Sequence, residues 1–94
     1  MEIFKRESKA LKTAKRNVKL SEEAIKILEK DSFAPLNNGD IKRLTKVLQK
    51  VNPNITKEWV EKWVKDDQSY FWNKIWSIKM EWVRVVNKLE QNNE

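Results

Sequence analysis

The side chains that could carry chemistry in this sequence are few, and they are carboxylates. The 94 residues include no histidine and no cysteine, so the commonest acid–base group at neutral pH and the usual nucleophile–base pairs are missing. A single glycine excludes a glycine-rich loop for binding phosphate. The acidic residues that remain close together in sequence are Glu58, Glu61, Asp66 and Asp67.

The neighbouring aspartates at 66 and 67 could in principle hold a divalent cation. No series of oxygen ligands at the spacing of a calcium-binding loop follows them, however. An aspartate just before a helix is typical of an N-cap, where it accepts a backbone N–H and favours the positive end of the helix dipole. We therefore expect no enzyme activity, no catalytic residue, no metal site, no cofactor and no small-molecule substrate.

Positive charge is concentrated at the start of the chain. The formal net charge is +6, and residues 1–19 alone hold seven basic and two acidic residues, a balance of +5. Helical spacing would align these cations in a stripe on a first helix, and a second basic stripe follows on a third helix. If the fold joins both stripes, they could neutralise several phosphates of a nucleic acid. The candidate nucleic-acid-binding residues are Lys5, Lys9, Lys12, Lys15, Arg16, Lys19, Lys42, Arg43, Lys46 and Lys50.

Another interpretation of this charge stays open. Lysine outnumbers arginine sixteen to four and asparagine occurs nine times, so the stripes could be solvated faces of a lysine-rich protein.

The two helices around Asn52-Pro53-Asn54 have the approximate spacing of a helix-turn-helix. The second of them carries acids such as Glu58 and Glu61, which favours an ordinary helical hairpin over a helix that enters the major groove.

Five tryptophans are the other unusual feature. They fall at helical spacing among aliphatic residues, so core packing is the default for most of them. Trp72 and Trp76 are a candidate exposed pair, suited to a protein interface because tryptophan supplies a large area at low entropic cost. The candidate protein-interface residues are Trp72, Trp76, Lys79 and Val83. The partner would be another protein or a second copy of the chain.

The composition predicts an all-α fold. One glycine and two prolines supply too few turns for a sheet protein, whereas lysine and glutamate favour helices. We expect a compact bundle of four to five helices with the long C-terminal helix as its central element. That helix carries an apolar stripe with alternating four- and three-residue spacing, formed by Phe71, Ile75, Ile78, Trp82, Val85 and Leu89.

The remaining helices follow from their caps and breakers. We expect a basic first helix over about 2–17, a second helix that Ser21 caps, and a loop over 31–40. Asp40 and Thr56 should then cap the third and fourth helices. The chain should form one domain over 1–94, with residues 1–19 as a basic helix that packs or projects and 91–94 as a polar tail.

Neither a membrane span nor a secretory signal is apparent, so we expect an intracellular, cytoplasmic, soluble protein. Small size and this composition are typical of phage and mobile-element proteins, although no motif identifies a family. The leading hypothesis is a non-enzymatic nucleic-acid-binding protein that uses phosphate contacts. The alternative is a protein–protein interaction module, an inhibitor or an assembly subunit, that uses the tryptophan face.

Overall fold

A computed structural model of the chain describes residues 8–92, which form four α-helices. The helices are α1 (Lys9–Phe33), α2 (Asn38–Val51), α3 (Lys57–Asp66) and α4 (Gln68–Asn92). All regular structure in this part of the chain is helical. The predicted all-α bundle is therefore confirmed, with four helices in the described residues.

The long helices α1 and α4 run antiparallel along their whole length. Lys15 Nζ lies 3.6 Å from Glu90 Oε2 near one end, and Lys79 Nζ lies 3.2 Å from Glu22 Oε2 near the middle. The α2 helix packs on α1, and α3 lies against α2 and α4. Each helix therefore has two helical neighbours in the described residues, and the prediction that α4 is the central element is not confirmed.

The core lies where all four helices meet. Phe71 and Ile75 of α4, Leu28 of α1 and Leu44 of α2 are fully buried there. These apolar side chains recur every three or four residues, which places them on one face of each helix. Burial of their surface drives the helices together.

The first two predicted helices are one continuous helix, so the prediction that Ser21 caps a second helix is wrong. Ser21 lies inside α1 and is buried, and its hydroxyl donates a hydrogen bond of 2.8 Å to the carbonyl oxygen of Asn17. A serine inside a helix commonly satisfies its hydroxyl in this way. Buried Ala14 and Leu28 lie seven residues before and after it, so one apolar face runs through the position.

The connection between α1 and α2 begins where it was predicted but ends earlier than Asp40. The right-handed helical backbone stops at Lys30, whose ψ is 130°, and the N-cap of α2 is Asn37 rather than the predicted Asp40. Asp40 is the third residue of the helix and completes a capping box with Asn37. Asn37 Oδ1 accepts from the Asp40 N–H at 2.8 Å, and the Asn37 N–H donates to Asp40 Oδ2 at 3.3 Å. Each side chain thus satisfies a backbone donor at the start of the helix.

The last three residues of α1 have a strained backbone. Asp31, Ser32 and Phe33 have φ angles of 52°, 56° and 68°, in the left-handed region. L residues seldom adopt this conformation because Cβ approaches the following carbonyl oxygen. The side-chain amide of Gln68 bridges the turn by donating to the carbonyl oxygens of Leu28 and Ala34.

The predicted caps of the last two helices are confirmed. Thr56 Oγ1 accepts from the Trp59 N–H at 3.1 Å, and Asp67 Oδ1 accepts from the Tyr70 N–H at 3.0 Å. Asp67 is therefore a helix-capping residue, as its position before the long helix indicated. It is also the single residue between α3 and α4.

Residues 9–19 pack on the bundle rather than projecting from it. Leu11 and Ala14 are buried, and Lys15 reaches Glu90 near the end of α4. The candidate Lys5 lies outside the described residues. The predicted first helix over about 2–17 is not one unbroken helix, because Ser8 is extended and caps α1 at Lys9, its hydroxyl oxygen accepting from the Leu11 N–H at 3.1 Å. Of the predicted polar tail, Gln91 and Asn92 belong to α4, and residues 93–94 also lie outside the described part.

Candidate nucleic-acid interface

The fold brings the two predicted basic stripes side by side. α1 and α2 are antiparallel neighbours, so the start of α1 lies beside the end of α2. At this point Arg16 Nη2 donates to the backbone carbonyl oxygen of Lys50, at 3.4 Å. Cationic side chains are favourable beside the last carbonyls of a helix, which carry the negative end of its dipole.

The α1 part of this surface contains no acid. Between Ser8 and Ser21 the sequence holds five basic residues and no acidic one. Lys12, Arg16 and Lys19 are spaced by four and three residues, share one helical face and are exposed. Lys9 is exposed as well. Because like charges repel, these side chains are stabilised in solution by counterions, which a polyanion can replace.

The α2 part continues the same surface. Arg43, Lys46 and Lys50 are spaced by three and four residues, so they share the outer face of α2, and Lys42 lies beside them. All four are exposed, while Ile41, Leu44 and Leu48 are buried on the opposite face. We call the combined set the basic surface; it comprises Lys9, Lys12, Arg16, Lys19, Lys42, Arg43, Lys46 and Lys50.

The acid of α2 is already neutralised by a base outside this set. Lys30 Nζ donates to Asp40 Oδ1 at 3.1 Å and to Oδ2 at 3.2 Å. These hydrogen bonds lower the pKa of Asp40 below its ordinary value; burial opposes them, and the Asn37 N–H acts in the same direction as Lys30. Glu23 is the exposed acid nearest in sequence on α1, and it lies seven residues after Arg16 on the same face.

Lys15 differs in placement from the other candidates. It is half-buried at the edge of α1 that faces α4, where it pairs with Glu90. With Val18, Val83 and Val86 it lines a shallow groove between the two helices. Its charge adds to the local field, but its side chain points away from the α1–α2 side.

The four candidate protein-interface residues lie along the seam between α1 and α4. Trp72 and Trp76, expected to be exposed, are half-buried. The Trp72 indole N–H donates to Glu29 Oε2 at 2.9 Å, and the Lys79 ammonium lies 4.2 Å from the Trp76 ring centroid. Part of the surface of Trp72 and Trp76 is therefore already in contact with α1.

The other two candidate interface residues, Lys79 and Val83, lie on the same seam. Lys79 is half-buried between the Trp76 ring and Glu22, so it has both a cation–π and an ionic partner. Val83 is half-buried one turn further along α4 and lines the α1–α4 groove. Sequence spacing grouped the four residues on one face of α4 correctly, but it could not show that α1 covers that face.

Two of the other three tryptophans, Trp59 and Trp63, lie at the α3–α4 corner and pack on each other and on the core. The Trp59 and Trp63 rings meet edge to face with centroids 6.3 Å apart, and Phe71 lies 5.5 Å from Trp59. Tyr70, which is exposed, stacks on Trp63 with the two ring centroids 5.4 Å apart. Such aromatic contacts favour a fixed geometry of the corner.

Taken together, the geometry defines an all-α bundle with one broad cationic face and no cluster of acid–base groups within that face. Among residues 8–92, no helix is both long enough and apolar enough to cross a membrane, and no group of three metal-ligating side chains comes together. Comparison with protein-family models, curated proteins and solved structures found no match.

Proposed function

We propose that this protein is a non-enzymatic nucleic-acid-binding protein that uses the basic surface of α1 and α2. The observation that supports the proposal is the juxtaposition of Arg16 and Lys50, because it merges two cationic faces into one. Contacts from such a surface would go mainly to phosphates, which fix the position of a duplex without reading its sequence.

The surface has the properties that phosphate binding requires. Its eight side chains are exposed, and they project from two adjacent helices rather than from one ridge. Lysines present single point charges, whereas Arg16 and Arg43 supply the two guanidinium forks that can bind a phosphate through two hydrogen bonds. Two arginines among eight cations favour binding with little sequence preference.

The experiment is a titration of labelled DNA and RNA duplexes of equal length, repeated over a series of salt concentrations. Phosphate contacts release counterions, so the logarithm of the binding constant should fall with the logarithm of salt concentration by ~0.9 for each contact. Binding constants that do not change with salt would contradict the proposal.

Two triple variants with the same net charge distinguish binding by the basic surface from attraction by the net charge of the protein. Lys12→Gln/Arg16→Gln/Lys46→Gln removes three cations from the surface, and Lys57→Gln/Lys62→Gln/Lys65→Gln removes three exposed cations from α3. We expect the first to weaken binding at least about tenfold and to lower the salt slope by about 1 to 3, with little change in the second. Equal losses in both variants would assign the binding to net charge alone.

The alternative function, protein–protein interaction at Trp72 and Trp76, has less geometric support. Both indoles contact α1 residues or the core, and the Trp76 Nε1 atom is buried. A partner would have to compete with α1 for this face. The apolar surface that α1 leaves uncovered lies further along α4.

A further inference from the structure

The apolar stripe of α4 extends beyond the core that it helps to build. Phe71 and Ile75 are fully buried, and Ile78 packs against the core from its edge. Along α4 the core of the described residues ends there. The next members of the stripe, Trp82 and Leu89, are half-buried, and Val85 is 37% exposed. We call Ile78, Trp82, Val85 and Leu89 the distal stripe.

The short length of α3 explains why this stripe is uncovered. α3 has 10 residues and α4 has 25, or about 15 Å against about 37 Å of helix. α3 lies against the first turns of α4, where Trp63 contacts Tyr70 and Phe71. The α2 backbone lies against α1 and α3 rather than α4. Within residues 8–92, the second half of α4 therefore has α1 as its single helical neighbour.

We infer that a second copy of this chain covers the distal stripe, with the two α4 helices antiparallel. The stripe keeps the alternating four- and three-residue spacing by which helices pack side chains of one into gaps of the other. Residues of two antiparallel helices lie level when their numbers add to a constant. A register that sets Trp82 against Val85 of the second copy also sets Ile78 against Leu89, and the two-fold symmetry repeats both pairs.

The charges beside the stripe are complementary in this same register. Glu81 and Lys88 lie on the edge of the stripe away from α1; both are exposed, and neither forms an ion pair with a described residue. In this register Glu81 lies two residues, or about 3 Å along the helix axis, from the level of Lys88 of the second copy. Two long side chains can close that offset, and the two-fold symmetry repeats the pair. A parallel pairing would set Glu81 beside Val86, which α1 already approaches. Charge complementarity therefore selects the antiparallel dimer.

The proposal is independent of nucleic-acid binding, and the mass of the protein in solution tests it. Sedimentation equilibrium should show a monomer–dimer equilibrium, with a dissociation constant of about 10 to 100 μM for so small an apolar contact. A monomer at all concentrations up to about 0.5 mM would overturn it. That result is expected if residues 1–7 or an unrelated partner cover the stripe instead.

A matched pair of substitutions locates the contact. Val85→Asp places a charge at the centre of the distal stripe, and Met80→Asp places the same charge at an apolar residue of α4 that is 42% exposed and lies off the stripe. We expect Val85→Asp to raise the dissociation constant at least about 30-fold and Met80→Asp to leave it unchanged. Circular dichroism verifies that both variants stay helical. A dimer that survives Val85→Asp would overturn the inference.

Charge reversal tests the register. Glu81→Lys and Lys88→Glu should each weaken the dimer about threefold to fivefold, because each sets like charges opposite one another. The double variant restores opposite charges and should recover most of the affinity, since pairs in contact are not additive. A double variant as weak as the sum of both single changes would overturn the antiparallel register.

Discussion

The guanidinium of Arg16 lies 3.4 Å from the backbone carbonyl oxygen of Lys50 and so ties the start of α1 to the end of α2. The contact joins residues 34 positions apart in sequence. It acts on stability, by satisfying a carbonyl near the end of a helix, and on charge, by holding two cationic faces together. Substitutions can separate these two effects.

Arg16→Ala should therefore lower both stability and nucleic-acid affinity. We expect a loss of about 0.5 to 1 kcal/mol in the free energy of unfolding from the exposed hydrogen bond, and a weaker binding constant with a smaller salt slope. Lys19→Ala is the control, because Lys19 is exposed on the same face of α1. It should reduce the affinity with no loss of stability. Urea unfolding and the titration measure the two quantities; an Arg16→Ala variant that retains full affinity would remove Arg16 from the interface.

Ser21 provides a test of the continuous α1 helix. Ser21→Ala should leave the free energy of unfolding unchanged or raise it by up to about 0.5 kcal/mol, because alanine is the better helix former and the hydroxyl bonds only its own helix. If Ser21 instead capped a second helix, the same change would cost about 1 kcal/mol. Thermal and urea unfolding distinguish the two outcomes by their sign.

The left-handed turn at the end of α1 predicts a stabilising substitution. Ser32 has a φ of 56° and is exposed, so Ser32→Gly removes a steric conflict without removing a buried contact. We expect a gain of about 0.5 to 1 kcal/mol in the free energy of unfolding. The matched control is Lys26→Gly, at an exposed position within the regular part of α1. Glycine should cost about 1 kcal/mol there. A loss of stability in both variants would contradict the strained turn.

Asp40 predicts an acid dependence of stability with a defined sign. Its pKa is lowered in the folded protein, chiefly by Lys30, from the ordinary value of 3.8. The unfolded state then binds the proton more readily, so the stabilisation is complete above pH 3.8 and is lost as the pH falls through the folded-state pKa. Asp40→Asn should lower stability at neutral pH and reduce its fall in acid. Unfolding curves between neutral pH and strong acid measure the effect; a variant with the parent's acid dependence would contradict it.

The parts of this protein that local sequence determines were predictable. Thr56 and Asp67 cap their helices because a short polar side chain reaches the backbone N–H three residues on, which needs no information from the rest of the chain. The apolar spacing of α4 likewise fixed which side chains face inward at Phe71 and Ile75. The all-α class followed from composition and these local signals together.

The parts that depend on neighbouring helices were not predictable. Ser21 followed by two glutamates has the sequence of a helix start, yet α1 continues through it because its buried face packs along α2 and α4. The sequence indicated that Trp72 and Trp76 are exposed, because helical spacing within α4 does not show that α1 lies over them. Burial of apolar area across helices outweighs a capping preference of about 1 kcal/mol.

The sequence by itself determined the all-α class, the caps of the last two helices, and two separate basic stripes. Tertiary structure alone decided that the stripes meet at Arg16 and Lys50 and that the distal stripe of α4 has one helical neighbour. The physical reason is the range of the forces involved. Hydrogen bonds within one turn are set by residues three or four apart, whereas the faces that come together depend on how helices of unequal length share one core.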